Sequence, residues 1–414
     1  MVKEITECRS CKSTRLHPIL SLGEQALSDF VDNPNASRPL VPLELVLCQD
    51  CYLLQLKHTA PRDDLYRKYW YYSGVNQTMR DALRDITKAI EDRFGLTRGD
   101  YVIDIGSNDS TLLKSYSVKG IKKIGFEPSN IALEAQLSEN EGVIVNNYFN
   151  YPAVQYWLKD KKAKAITAIA MFYDLDEPNV FLQDVKKSLS PDGVFVIQMS
   201  YTPTMFEQLA FDNICHEHLE YYTLTSLLPL LERNDLKAFD VEFNDVNGGS
   251  FRIWISHKNS KYQISTSIAK TLEEEERNGY KSLEIYKEFA QRVEGLRENL
   301  QDLIKSLVGD GYIIYGYGAS TKGNTTLQYC RFTSNEIKKI ADRNPRKWGK
   351  YTVKSAIPII SEEEMRKDKP DYLLILPWAF LPEFLKRERD YLLGGGKFII
   401  PVPEVKIIGA EGGS

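Results

Sequence analysis

Residues 214–223 read ICHEHLEYYT and crowd Cys215, His216, Glu217, His218, Glu220, Tyr221 and Tyr222 into one short stretch of a chain that has only five histidines. Such a cluster can bind a metal, move protons, or solvate a polar turn. The metal reading needs both imidazoles on one face. Residues two apart point to different sides of a helix and share a face only along a strand, so His216 and His218 do not reproduce the H-E-x-x-H spacing of zinc hydrolases. A histidine titrates near neutral pH without large perturbation, which suits it to abstract a proton. Glu217 or Glu220 could hold the imidazole tautomer, and a tyrosine such as Tyr222 could donate to a developing oxyanion.

The demand for a metal is met elsewhere. CRSC (Cys8, Cys11) and CQDC (Cys48, Cys51) use four of the six cysteines. Two C-x-x-C pairs supply the four thiolates of a closed, tetrahedral structural zinc site, which leaves no open position for chemistry. A redox pair would instead require one C-x-x-C at a helix N-terminus, and four unpaired thiols are the plain alternative.

In VIDIGSNDSTLL, Asp104 closes an apolar strand, Gly106 permits a tight turn, and Asn108 and Asp109 stand where a helix begins. No G-x-G-x-x-G follows, which argues against a dinucleotide pyrophosphate. Glu127 lies 23 residues beyond Asp104, after the next strand, where a carboxylate can accept from both ribose hydroxyls. A nucleoside ligand with an ammonium group and no phosphate fits this pairing, so S-adenosylmethionine and a class I methyltransferase fold are expected. Near the C-terminal end, YGYGASTKGNTT puts Ser320, Thr321 and Lys322 at a strand-to-helix turn. Backbone N–H groups there favour a phosphate; purely structural glycines are the alternative. Trp348 and Trp378 are candidates for a base pocket, against the commoner reading as core aromatics.

The elements that must position these residues form an α/β multidomain chain. Its 414 residues suggest about three domains. Residues 1–75, with alternating apolar stretches, are expected to be a small β-rich zinc-binding domain. Residues 76–258 start with a connecting helix at about 78–94 and continue as the methyltransferase Rossmann-like domain. Its strands are expected at DYVIDI, KKIGFEPS, AITAIAMFYD and GVFVIQMSY, with a hairpin around Asn247-Gly248-Gly249. Residues 259–307 are charged and helix-prone and read as a helical bridge broken near Gly279. Residues 308–414 alternate strand and helix again, as a C-terminal Rossmann-like domain without visible sequence repeat of the first. Net charge is −4 with no basic block, so no nucleic-acid partner is expected. No apolar run of about 18 residues recommends a membrane. The start MVKEITECRS has no apolar signal core, and the cysteine usage points to a reducing cytoplasm. A small-molecule substrate and a monomer complete the expectation.

CRSC…CQDC, DIGSND, GFEPS, AFDNICHEHLEYYTLTSL, NDVNGGSFRI and GYGASTKGNT, in this order along nearly the whole chain, resemble the zinc-containing C-methyltransferases that act on nucleotide-linked deoxysugars. The resemblance implies three parts: a zinc domain, a central S-adenosylmethionine domain and a C-terminal Rossmann-like domain. It also implies methylation of a carbon next to the ketone of a nucleoside-diphosphate keto-deoxysugar. By position, Asp104, Gly106, Asn108 and Glu127 match cofactor-binding residues, and Asp109, Pro128, Asn147 and Phe172 are added as cofactor contacts. Tyr71 and Tyr72 match a tyrosine-bearing loop that reaches the substrate. Glu217 and His218 match a catalytic pair whose histidine looks like the base, with His216, Tyr222 and Asp174 as further catalytic candidates. Ser320, Thr321, Lys322 and Asn247 are the candidates for the sugar nucleotide. Two positions depart from the sugar-methylating pattern, which has a histidine where this chain has Asp174 and a tyrosine where it has Cys215. O- or N-methylation of another small molecule is therefore a rival expectation. Ser110, where members often keep glycine, motivates a second rival, a zinc-stapled binding protein with a degenerate methyltransferase domain.

Overall fold

The alternating apolar residues of the first segment fold into antiparallel strands, Leu16–Ala26 (β1) and Leu40–Cys48 (β2), with Leu54–Leu56 (β3) on the far edge of β2. The structure, a computed structural model, describes residues 2–36, 38–138 and 140–410. Helix α1 (Gln77–Phe94) follows. Asn76 caps it by accepting from the Thr78 N–H, and Met79, Leu83, Ile86 and Ile90 recur at helical spacing on its buried face.

Five parallel strands come next: β4 (Tyr101–Ile105), β5 (Lys122–Phe126), β6 (Gly142–Val145), β7 (Ala163–Ile169) and β8 (Leu189–Ser200). After them lie the two-residue strand β9 (Glu220–Tyr221), helix α2 (Leu224–Arg233), and the hairpin β10 (Leu236–Asn244) and β11 (Ser250–His257). The central sheet runs β10-β11-β8-β7-β4-β5-β6, with β11 antiparallel to β8. Chain order reverses between β4 and β7, which makes their carboxyl ends the switch point where open α/β sheets bind ligands. β7 stops earlier than the apolar run AITAIAMFYD suggests, because Ala170 turns to φ 53° and Phe172–Asp174 close into a single 3₁₀ turn.

Strand β9 does not join the central sheet. It pairs with β3 of the N-terminal sheet, Glu220 against Gln55 and Tyr221 against Leu54, giving the order β9-β3-β2-β1. The ICHEHLEYYT segment is therefore woven into the zinc-bearing part of the chain.

Helices α3 (Thr266–Arg277) and α4 (Glu284–Gly309) form the bridge, separated at Gly279 as the sequence suggests. One stripe of α4 serves two bodies. Tyr286, Phe289, Val293 and Leu296 pack with the N-terminal sheet, and Leu300, Ile304 and Leu307 pack with the C-terminal one. That last sheet contains β12 (Ile314–Tyr317), β13 (Ile340–Asp342), β14 (Ile359–Ser361), β15 (Tyr372–Ile375), β16 (Lys397–Ile400) and β17 (Lys406–Ile408), with helix α5 (Thr321–Tyr329) after β12. Its order, β14-β13-β12-β15-β16-β17, is doubly wound with a second switch point between β12 and β15. Gln328 of α5 accepts from the Ala26 N–H at 2.8 Å and donates to the Ala26 carbonyl at 3.2 Å, tying this domain to β1. No helix among the described residues is long and apolar enough to cross a membrane.

Candidate active site

Both switch points open onto one cavity of about 1020 Å³, walled by all three domains. That volume is at the upper end for a single small ligand, and suits two ligands side by side.

At the first switch point, Asp104 ends β4 fully inside the protein and accepts from the Thr167 hydroxyl at 2.6 Å. Burial pushes its carboxyl up to about 7; the Thr167 hydroxyl offsets part of this, and the Glu127 charge adds to it. Gly106 takes φ 71°, and a Cβ there would meet Met171 Cγ at 3.2 Å, so the turn demands glycine. Glu127, at the end of β5, accepts from the Asn108 N–H at 2.8 Å and the Ser129 N–H at 2.9 Å. Each oxygen keeps a lone pair for a further donor.

The second switch point repeats this device. Asp342 at the end of β13 accepts at 2.7 Å from the Ala319 N–H and at 2.7 Å from the Asn344 N–H. Ser320 caps α5 by accepting from the Gly323 N–H, and Thr321 and Lys322 stand in the first turn facing the cavity. Trp378, after β15, donates its indole N–H to Asp212 Oδ2 at 3.0 Å. A Cβ on Gly248 would lie 2.6 Å from this ring, so that glycine lets the β10–β11 hairpin meet the C-terminal domain.

Between the two ends lies the β-turn Cys215–His218, closed by the His218 N–H on the Cys215 carbonyl at 3.0 Å. His218 Nδ1 bonds the Asn213 carbonyl at 2.8 Å. A carbonyl can only accept, so Nδ1 carries the proton and the lone pair sits on Nε2. The tautomer is thus set by a backbone group, and neither Glu217 nor Glu220 bonds the ring. Tyr173 packs against it with centroids 4.2 Å apart. Burial, reinforced by Lys322, pushes His218 down to about 3, so the imidazole is neutral at physiological pH. The segment is fixed behind by the Leu219 N–H on Tyr173 O at 2.8 Å, and by the Leu56 N–H on Leu219 O at 2.9 Å.

The four cysteine sulfurs of the two C-x-x-C pairs lie within 4.8 Å of one another. Cys8 and Cys51 are 3.6 Å apart and Cys11 and Cys48 3.5 Å, close to the roughly 3.8 Å between sulfurs of a tetrahedron with ~2.3 Å zinc–sulfur bonds. Both pairs fold the same way. Lys12 and Tyr52, one residue beyond each pair, adopt positive φ and donate to the carbonyls of Cys8 and Cys48. The donor set fits zinc. A closed site of this kind supplies folding energy and no chemistry.

The C-methyltransferase NovU of Streptomyces niveus is 31% identical over 416 residues, spanning 99% of both chains. The chain belongs to the C-methyltransferase family. Three family profiles match in order: a zinc binding domain over residues 8–66, a methyltransferase domain over 75–241, and a C-methyltransferase C-terminal domain over 245–403. This C-methyltransferase is accordingly an S-adenosylmethionine-dependent enzyme with a zinc-binding domain, and the non-catalytic alternative falls away. Solved structures give partial likenesses. A Haloferax volcanii methyltransferase in complex with its Trm112 activator is 16% identical, covering 41% of this chain and 75% of that one at a TM-score of 0.34. An Aquifex aeolicus SAM-dependent methyltransferase is 16% identical, covering 42% and 97% at a TM-score of 0.32.

Of the residues singled out from the sequence, Asp104, Gly106, Asn108, Glu127 and Pro128 line the methyltransferase's cavity, as do Tyr71, Tyr72, Asp174, Glu217, His218, Asn247, Ser320, Thr321 and Lys322. Others stand elsewhere. His216 points backward and bonds the Val41 carbonyl of β2 at 3.0 Å, because the turn sends it to the opposite side from His218. Tyr222 is 1% exposed and Phe172 fully buried, packed on each other in the aromatic core. Asn147 is exposed and accepts from the Tyr148 N–H. Asp109 accepts from the Gly74 N–H at 2.8 Å, fixing the tyrosine loop. Asn108 lies on the wall, but its side chain binds the same loop, through the Ser73 N–H and the Tyr71 carbonyl. Tyr72 sends its hydroxyl to Glu134 and Arg346, across the mouth between the central and C-terminal domains. Trp348 bonds the Asp342 carbonyl outside the cavity wall. Tyr66, Tyr69, Tyr173, Asp212 and Asp342 also line the cavity, and Asn213 orients the histidine; sequence reading missed all six in these roles. YRKYWYY offered the signal for the first two, and DNICHEH for Asp212 and Asn213.

Proposed function

We propose that the enzyme methylates the carbon adjacent to the ketone of a nucleoside-diphosphate keto-deoxysugar, by way of an enolate that His218 generates. The observation that carries this reading is the orientation of His218. Its Nδ1 is committed to Asn213, and its Nε2 has no hydrogen-bond partner among the described residues while the ring lines the cavity onto which both switch points open. S-adenosylmethionine supplies an electrophilic methyl on a sulfonium. Glu127 suits its ribose hydroxyls, the Gly106 turn allows close backbone approach, and Asp104 offers a carboxylate to its positive charge. At the other end, the N-terminus of α5 and the Lys322 ammonium suit a diphosphate. Holding donor and sugar in one cavity supplies much of the remaining acceleration by orientation.

Lys322→Ala is expected to raise the KM for the sugar nucleotide by about 10- to 100-fold, the worth of one charge-assisted contact, and to change kcat little. An unchanged KM would remove Lys322 from the diphosphate site.

Asp104 gives a pH signature. Its carboxyl sits above the ordinary range in the folded protein, so its proton favours folding at low pH and that contribution is lost as pH rises through about 7. A cationic ligand favours the ionised form, so S-adenosylmethionine affinity should fall by up to about tenfold per pH unit below 7. Calorimetry between pH 6 and 8 reads this directly. Asp104→Asn should bind more weakly and lose the pH dependence; if the slope persisted in that variant, another group would be responsible.

The reading itself is tested by turnover with ¹³C-methyl S-adenosylmethionine and a panel of nucleoside-diphosphate 4-keto-6-deoxy sugars. A product whose labelled methyl couples to a ring carbon supports it, whereas label on oxygen or nitrogen, or on none of the sugars, sinks it.

A further inference from the structure

Two carboxyl groups in the wall beside His218 each leave one buried oxygen without a hydrogen bond among the described residues, Asp174 Oδ1 and Glu217 Oε2. Both side chains line the cavity. Glu217 is 7% exposed and reaches it from the Cys215–His218 turn, and Asp174 reaches it from the 3₁₀ turn after β7. Around them stand Tyr66 and Tyr69 from the tyrosine loop, Tyr173, Cys215 and the Thr321 hydroxyl. The charges that reach Asp174 belong to Glu217 and Glu220, both acidic. Lys322 acts instead on Asp212, Cys215 and His218. The Leu219 N–H on the Tyr173 carbonyl at 2.8 Å brings the two segments side by side, and neither carboxyl has an ion-pair partner among the described residues, so the two cannot both ionise cheaply.

We propose that Asp174 and Glu217 hold one proton between them, and that Asp174 presents it to the carbonyl oxygen of the keto substrate while His218 removes the proton from the neighbouring carbon. The C–H electron pair moves into a C=C bond, the carbonyl π pair moves onto oxygen, and the abstracted proton goes to Nε2 of His218. The O–H of Asp174 holds the resulting enolate oxygen. When the methyl is transferred, the carbonyl re-forms, the carboxyl keeps its proton, and His218 returns its own to solvent. A neutral carboxylic acid in a dry site is a strong donor to such an oxyanion. Burial first, then repulsion by Glu217 and Glu220, holds Asp174 well above the usual carboxylate range, and burial raises Glu217 as well. Glu217 is here a positioning residue, acting through the shared proton.

The electrophile in this proposal rests on the keto-sugar reading above; the shared proton does not. Infrared difference spectra of the wild type against Asp174→Asn and Glu217→Gln at pH 7, in H₂O and D₂O, therefore need no substrate. They should show a protonated-carboxyl C=O band in the wild type that shifts in D₂O and is lost in Asp174→Asn. With a nucleoside-diphosphate 4-keto-6-deoxyglucose as probe, Asp174→Ala should slow α-proton exchange by about 10²–10³-fold. Asp174→Asn, which keeps a donor, should slow it by about tenfold. The alkaline fall of the wild-type rate should be absent from the Asn variant. The proposal is overturned if the infrared band is missing from the wild type. It is equally overturned if both variants raise KM alike and leave kcat intact, the behaviour of an ionised pair that binds a substrate amine. Should no keto sugar exchange in the wild type, the substrate reading fails, and the infrared band alone decides the shared proton.

Discussion

His218→Ala should slow α-proton exchange and methyl transfer by about 10³-fold, within the range for loss of a positioned general base, while S-adenosylmethionine affinity stays within about twofold. The split follows from geometry. His218 lies between the two switch points, and none of the groups at the Asp104 end depends on it for a hydrogen bond. Because burial keeps the imidazole neutral far below physiological pH, its lone pair is available from about pH 4 upward. Loss of activity on mild acidification should therefore follow weaker cofactor binding at Asp104, and saturating S-adenosylmethionine should restore much of the rate at pH 6. Rates of His218→Ala within tenfold of the wild type would transfer the base role to another group.

Zinc removal should be as damaging, although the metal takes no part in the chemistry. A structural zinc contributes on the order of 10 kcal/mol to folding at neutral pH. Here that energy holds β2 and β3, and β3 holds β9 two residues beyond His218. Cys51→Ser, or prolonged chelation, is expected to abolish methyl transfer and lower the melting temperature by more than 10 °C, with one zinc per chain lost by metal analysis. The central sheet shares one apolar face with Cys8, Cys48 and Cys51 and packs the other on α1, so S-adenosylmethionine binding should decline too, though less than turnover. Full activity in a zinc-free protein would contradict the role assigned to the β3–β9 pairing.

The order of the elements was legible because hydrophobic period and turn residues are local signals. Asp104, Gly106 and Glu127 could be placed on strand ends from one stretch of sequence each, and the two C-x-x-C pairs announced their metal by spacing. What is non-local stayed hidden. Nothing near Glu220 indicates that it pairs with Gln55 of another domain, or that this pairing turns His216 away and His218 in. The sequence offers Glu217 or Glu220 as a candidate for holding the imidazole tautomer because side chains carry identity, whereas the Asn213 carbonyl that sets it is a backbone group any residue would provide. Tyr222 and Phe172 look functional beside their neighbours, yet their rings complete an aromatic core that spans β8 and helix Pro178–Ser188. The parallel between Glu127 and Asp342 emerges only from matching hydrogen bonds, since GFEPS and IADRN share no residue.

An enolate formed before methyl transfer makes proton exchange possible without a methyl donor. The wild-type enzyme with S-adenosylhomocysteine and nucleoside-diphosphate 4-keto-6-deoxy sugars in D₂O should replace one hydrogen next to the ketone by deuterium, seen by NMR, at a rate that His218→Ala suppresses. Methyl transfer to one of those sugars without any wash-in would rule out the enolate, and wash-in indifferent to His218 would rule out His218 as its base.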